Sequence, residues 1–260
     1  MVPFADTHIH LLAGQDDGPK TMDDAVTMCR MAVAEGVQHA AALAHQNPDY
    51  PNNNAAALRE AAARLEAELL RQDIPLSVYP TGEIMLSPDT YAEYQAGKLL
   101  SMGDRKKLLL VEMPHAMFMD VLPLASQFRA DGIRLVIAHT ERYPELLHDL
   151  PLAERWFASG ILFQISSGEL AAPNSPTDAK ALKAWAQRGL IHMLGSDAHN
   201  LTRRVPNMRE GVATLARFVG PAGADRIAGI WGIAALQGSP LNPPRFKPKP
   251  KPFWAKWLAR

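Results

Sequence analysis

At 260 residues, 47% of them hydrophobic, the chain has the material for one large α/β domain rather than two small ones. Basic and acidic side chains number 27 each, so no net field is available to gather nucleic acid. A single cysteine, Cys29, excludes an internal disulfide framework and any CxxC metal site, as expected in a reducing compartment.

The opening MVPFADTHIH has no basic segment followed by an apolar one, and no run reaches the roughly 18 apolar residues of a membrane span. A cytoplasmic protein is therefore expected. The first strand is predicted over residues 4–9. Thr21-Met22-Asp23-Asp24 reads as a capping box, in which a hydroxyl and a carboxylate three residues on satisfy free backbone N–H groups. The helix it opens puts Ala25, Met28, Cys29, Ala32 and Val33 on one face and ends at Gly36. Further strands are predicted over 37–45, 76–84, 108–113, 134–139, 161–166 and 191–196. They are mostly apolar rather than alternating, the pattern of a sheet covered on both faces. Helices are predicted over 54–70, from Ser87-Pro88 onward, and over 117–130, 152–159, 177–187 and 203–218.

Strand then helix, repeated about seven times, predicts a parallel α/β barrel, closed or nearly so. An open doubly wound sheet is the competing layout. The first strand–helix turn carries no GxGxxG, which weakens its dinucleotide-binding version. Beyond residue 240 the composition changes. Residues 226–260 hold no acid, and 243–251 alternate proline with basic residues before Phe253-Trp254-Ala255-Lys256-Trp257-Leu258. The chain thus divides into a domain over 1–240 and a basic tail over 241–260. Tryptophan beside lysine and arginine suits a membrane surface or a partner, with packing back on the barrel as the alternative.

Chemistry gathers at the strand ends. The first strand ends in Asp6-Thr7-His8-Ile9-His10, the next four in His45, Glu83, Glu112 and His139, and the last in Asp197-Ala198-His199. In a parallel barrel these ends share one face, so residues scattered over most of the chain converge. His8 and His10, two apart on a strand, project to the same side. Imidazoles mixed with carboxylates hold zinc, manganese or iron, and without a cation their burial would be costly. Any one of them alone reads better as a helix cap or a hydrogen-bonded rim histidine. His39 begins its strand and belongs to the opposite face; His148 and His192 fall outside the pattern. His115 follows Glu112 in a loop on the working face, where a substrate contact is possible. A thiolate phosphatase needs arginine six residues after its cysteine, whereas Glu35 stands there after Cys29. That mechanism is out.

The opening DTHIH, then GQDDGPKT from Gly14, Ala44-His45, Gly82-Glu83-Ile84, Val111-Glu112, His139-Thr140-Glu141-Arg142-Tyr143 and Gly195-Ser196-Asp197-Ala198-His199-Asn200 resemble the polymerase-and-histidinol-phosphatase (PHP) superfamily. Within it they are most similar to the bacterial tyrosine-protein phosphatases of capsule and exopolysaccharide operons. The resemblance implies a distorted seven-stranded, TIM-barrel-like (β/α) barrel. It implies two or three divalent ions, manganese first, with iron, zinc or magnesium as alternatives. The ligands it implies are His8, His10, Asp17, His45, Glu83, Glu112, His139, Asp197 and His199, with Arg142 and Arg204 binding phosphate and acting in catalysis. The run Leu43–Pro48 and Thr140, which stands where proline is usual, depart from the family pattern. The implied substrate is a phosphotyrosine protein, foremost a membrane-bound tyrosine kinase, placing the enzyme in the cytoplasm or at the inner membrane's surface. Asp16, His115 or a water would protonate the leaving phenolate. A PHP phosphoesterase acting on histidinol phosphate or nucleotides is the second reading, and a metal-bound adaptor without turnover the third.

Overall fold

In the computed structural model, which describes residues 2–114 and 117–244, seven strands stand side by side in the order β1 to β7. They are β1 (Phe4–His10), β2 (Val37–Gln46), β3 (Ser77–Met85), β4 (Leu108–Glu112), β5 (Arg134–Ile137), β6 (Leu162–Ser166) and β7 (Met193–Gly195). Every neighbouring pair is parallel. The circle closes between β1 and the segment after β7. One bridge joins Ile9 to Ala198, His10 donates its backbone N–H to Ala198, and Asp197 donates its own to His8. The parallel barrel predicted from the sequence is therefore the fold, and the open sheet is not.

Helices cover the outside because their apolar residues recur at helical spacing. α1 (Met22–Ala34) starts at Thr21, whose hydroxyl accepts from the Asp24 N–H and donates to its carboxylate. α2 (Ala55–Arg71) buries Ala55, Leu58, Ala62, Leu65 and Leu69 along one stripe, and the Asn54 side chain caps its first turn. Then follow α3 (Thr90–Gln95), α4 (Leu122–Ala130), α5 (Pro144–Leu147), α6 (Leu150–Ala158), α7 (Ser167–Ala171), α8 (Pro176–Gln187) and α9 (Met208–Val219). Trp156, Phe128 and Trp185 from these helices and Phe163 from β6 are wholly buried.

Three helix starts lie later than the sequence predicts. Pro88 sits in the turn before α3, because Ser87 and Thr90 bond to each other's backbone and side chains there. Residues 117–121 form no helix; Asp120 accepts from the Leu122 N–H and helps begin α4 there. Residues 203–204 stay in a turn built on Asn200, whose side-chain oxygen accepts from the N–H groups of Thr202, Arg203 and Arg204, and 205–207 form no helix. The strand predicted to reach His139 stops at Ile137, since His139 takes a left-handed backbone at φ 32.

After α9 the chain continues in helix: α10 (Pro221–Asp225), a π-helical turn (Arg226–Trp231) and α11 (Gly232–Gln237). Sequence reading left this segment unassigned. It lies against β1, where a Cβ on Gly232 would stand 2.7 Å from that of Ala5, so only glycine allows the approach. Leu241 is buried, and Arg134 at the start of β5 donates to its carbonyl at 2.9 Å. The tail from residue 245 lies outside the described residues.

Candidate active site

All nine acid and imidazole candidates meet at the C-terminal strand rim, in four overlapping groups whose ligand atoms lie within 4.8 Å of one another. His10, Asp17, His45 and His199 make one group; His8, His10 and Asp197 another; His8, Glu83 and His139 a third; His45, Glu83 and Glu112 the fourth. Glu83, only 1% exposed, is the hub. Its carboxylate lies 3.2 Å from His8 Nε2, 3.3 Å from His10 Nε2, 3.1 Å from His45 Nδ1 and 2.9 Å from His139 Nε2.

A ring of outer partners sets which nitrogen faces the cluster. Gln164 donates its amide N–H to the carbonyl and hydroxyl of Thr7, which turns its oxygen toward His8 Nδ1 at 2.9 Å. His8 Nδ1 must therefore carry the proton, leaving a lone pair on Nε2. Asp16 accepts from His10 Nδ1 at 2.6 Å, and the Asp197 carbonyl from His199 Nδ1 at 2.9 Å. Nε2 of His8, His10 and His199, Nδ1 of His45, and one oxygen each of Glu83 and Glu112 are buried without a hydrogen-bond partner. Lone pairs facing carboxylate oxygens repel unless positive charge, from added protons or from a bound cation, lies between them. The donor set, nitrogen and oxygen on a rigid rim, fits divalent ions of the manganese, iron or zinc type.

Electrostatics agree. Burial alone would lower the imidazole pKa values. Instead Asp16 and Glu83 push His10 up to about 9, Glu112 and Glu83 push His139 up to about 10, and they push His45 up to about 11. Burial would raise Glu83, yet the surrounding imidazoles hold it well below the usual carboxylate range. Asp197 is likewise held far down, against its burial, by His8 and Arg142. Acids so placed attract cations strongly.

Asp197 is reached by both candidate phosphate-binding arginines. Arg142 and Arg204 each donate to its Oδ2, at 2.5 and 2.6 Å, and Arg142 also to Glu169 at 2.9 Å. They stand 38% and 42% exposed and line a cavity of about 500 Å³. Tyr50, Met117, Phe118 and Tyr143 form its rim. The Tyr50 ring stacks parallel to His45 at 5.8 Å. Asp197 and His139 both sit on left-handed backbone, at φ 54 and 32, strained for residues other than glycine.

One sequence expectation changes. Asp16 is no proton donor: though burial would raise its pKa, His10 and two backbone N–H groups, those of Gly18 and His45, bring it down to about 2. It is ionised and orients His10. His115 lies outside the described residues. His39 bonds Tyr79 away from the cluster, His148 pairs with Asp178, and His192 is a buried acceptor for the Phe163 N–H. Cys29 is buried in α1, which pushes its thiol up to about 12. Sequence reading missed Gln164, although a lone amide in the apolar strand LFQIS was a visible signal. It also missed Tyr50, which nothing in the sequence distinguishes from a loop tyrosine.

A family model described as capsular polysaccharide synthesis, CpsB/CapC, matches residues 4–230. The chain belongs to this family. Among its CpsB/CapC relatives, the tyrosine-protein phosphatase YwqE of Bacillus subtilis is 35% identical over 223 residues, 83% of this chain and 85% of YwqE. The tyrosine-protein phosphatase CpsB of Streptococcus agalactiae is 22% identical over 227 residues, 85% of this chain and 93% of its own. A crystal structure from work on YwqE and the CpsB of Streptococcus pneumoniae, described as unique metal-dependent tyrosine phosphatases, matches with TM-score 0.86 at 30% identity. It covers 95% of this chain and all of the other.

Proposed function

We propose that this protein is a metal-dependent tyrosine-protein phosphatase of capsular or exopolysaccharide synthesis. The observation that carries the reading is the conjunction of inward-facing imidazole lone pairs with carboxylates, under two arginines, at the floor of an aromatic-rimmed pocket. His8, His10, Asp17, His45, Glu83, Glu112, His139, Asp197 and His199 would hold two or three divalent ions, manganese foremost. Such ions supply Lewis acidity at the phosphoryl oxygens and make water a nucleophile near neutral pH.

The protein's own residues do the rest. Arg142 and Arg204 turn their guanidinium groups from Asp197 to the non-bridging phosphate oxygens and meet the charge that develops there. Glu169 keeps Arg142 in place as it does so. Gln164, Asp16 and the Asp197 carbonyl keep three imidazoles in one tautomer. Tyr50, Phe118 and Tyr143 exclude water from the phenyl ring. A phenolate leaving group, with a pKa of about 10, needs less protonation than an alkoxide.

Residues 1–240 form the catalytic domain in this reading. The substrate is a phosphotyrosine protein, a membrane-bound tyrosine kinase above all, met in the cytoplasm. Among the described residues no helix is long and apolar enough to cross a membrane. The tail, with six basic residues and no acid after residue 244, supports contact with an anionic membrane surface. The last described residues, around Leu241, lie beside Arg134 at the start of β5, at the strand face opposite the pocket. Phosphate release from a phosphotyrosyl peptide with added Mn²⁺, beside histidinol phosphate, tests the reading. Turnover of the peptide alone is expected; turnover of histidinol phosphate alone, or activity indifferent to a strong chelator, overturns it.

A further inference from the structure

Beside the catalytic pocket lies a larger groove of about 740 Å³. Asn47 and Tyr50 line both, so the two basins meet on the loop after β2. The groove runs from there past Pro51 and Ala56 toward Ser87 and Lys98. It opens on the same rim as the acid and imidazole cluster, because Gln46 and Met85, among its lining residues, end β2 and β3.

Its chemistry suits polypeptide better than a second anion. Arg59 is held by the Asp104 carboxylate through two hydrogen bonds, at 2.7 and 2.8 Å, and Lys98 stands 4.0 Å from Glu93. With its cations so offset, the groove has little to offer a second phosphate group. Amides, a hydroxyl, prolines, the Asp89 carboxylate and the Met85 and Leu99 side chains remain, a mixture that meets peptide bonds and assorted side chains and repels a second phosphate.

Tyr50 stands on the divide, its ring stacked on His45. A tyrosyl phosphate that reaches Arg142 and Arg204 has its main chain at the mouth, where the groove begins. We propose that this groove binds the polypeptide flanking the phosphotyrosine, so that Tyr50 parts the reacting side chain from its neighbours in sequence. The inference rests on the tyrosine-protein phosphatase reading and adds the place where the chain on either side of the phosphotyrosine is held.

Ala56→Trp and Pro51→Trp test it, since both residues are exposed, line the groove and lie outside the pocket. With either variant, KM for a phosphotyrosyl peptide is expected to rise about tenfold, while kcat and KM for free O-phospho-L-tyrosine stay at wild-type values. Two variants guard against one that folds poorly, and the free amino acid reports on an intact pocket. Peptide and free phosphotyrosine changing in the same proportion, or neither changing, overturns the groove assignment alone. A wild type that leaves both tyrosyl phosphates intact yet hydrolyses histidinol phosphate overturns the phosphatase reading and the groove together.

Discussion

Replacing Asp16 by asparagine keeps the side chain's shape and removes its charge. The carboxylate now serves three donors: Oδ2 accepts from His10 Nδ1 at 2.6 Å and from the His45 N–H at 3.0 Å, and Oδ1 from the Gly18 N–H at 2.9 Å. An amide has one oxygen. Turned toward His10 and His45, it presents NH₂ to Gly18; turned the other way, it presents NH₂ to both others. Either arrangement strands at least one buried N–H, at about 1–3 kcal/mol. The carboxylate's pKa of about 2, against 3.8 ordinarily, adds a contribution of about 2 kcal/mol. Because the folded-state value is the lower one, that contribution is complete above pH 3.8 and lost as pH falls through about 2. Asp16→Asn should therefore lower unfolding free energy at pH 7 by about 3–5 kcal/mol in denaturant melts, with the gap narrowing below pH 3.8. Loss of His10 orientation should weaken Mn²⁺ binding by about 10–100-fold in calorimetric titration of chelator-treated protein. Wild-type melting and wild-type Mn²⁺ affinity in this variant would refute the argument that Asp16 orients His10.

Four further outcomes are expected. Arg142→Ala and Arg204→Ala should each lower kcat/KM on a phosphotyrosyl peptide by about 10²–10³, and unchanged kinetics would remove them from phosphate binding. Gly195→Ala should destabilise by about 3 kcal/mol, because its Cβ would stand 2.3 Å from that of His8; a wild-type thermal melt would contradict this. Chelation should abolish activity and lower Tm. Mn²⁺ at a hundredfold excess over Kd should restore about 2.7 kcal/mol, and a melt insensitive to both treatments would count against bound ions. His192, buried as a neutral acceptor and pushed down by burial to about 3, stays uncharged when folded while the unfolded chain takes up a proton below 6.5. Stability should thus decline as pH falls from 6.5 toward 3, by about 2 kcal/mol at pH 5. His192→Gln should flatten that decline in denaturant melts, and an unaltered slope would assign it to other groups.

The barrel was legible because buried parallel strands are short apolar runs between capped helices, and β4, reading LLLVE, could hardly be anything else. The nine candidate ligands were legible because imidazoles and carboxylates repeated at successive strand ends converge on one face, where burial without a cation would be costly. What supports them was not. Gln164 acts through contacts of 2.9 and 3.0 Å with residues over 150 positions away, and no local pattern encodes such a partner. Helix starts at Thr90 and Leu122 were set by side chains that bond neighbouring backbone, a competition that propensity does not resolve. His139 and Asp197 leave strand geometry altogether, for left-handed positions that a run of apolar neighbours gives no reason to expect.

The meeting of β1 with the segment after β7 has a thermodynamic side. That seam holds one isolated bridge and a few hydrogen bonds, including Thr7 to Leu194 at 2.7 Å, between segments about 190 residues apart. His8 and His10 stand on one lip and Asp197 and His199 on the other. An ion clasped by both lips would act as a reversible cross-link between the chain's beginning and end, restricting the unfolded ensemble as a long-range disulfide does. Amides of residues 7–10 and 194–199 should then exchange with solvent first when the ion is withdrawn, ahead of the continuous ladder from β2 to β4.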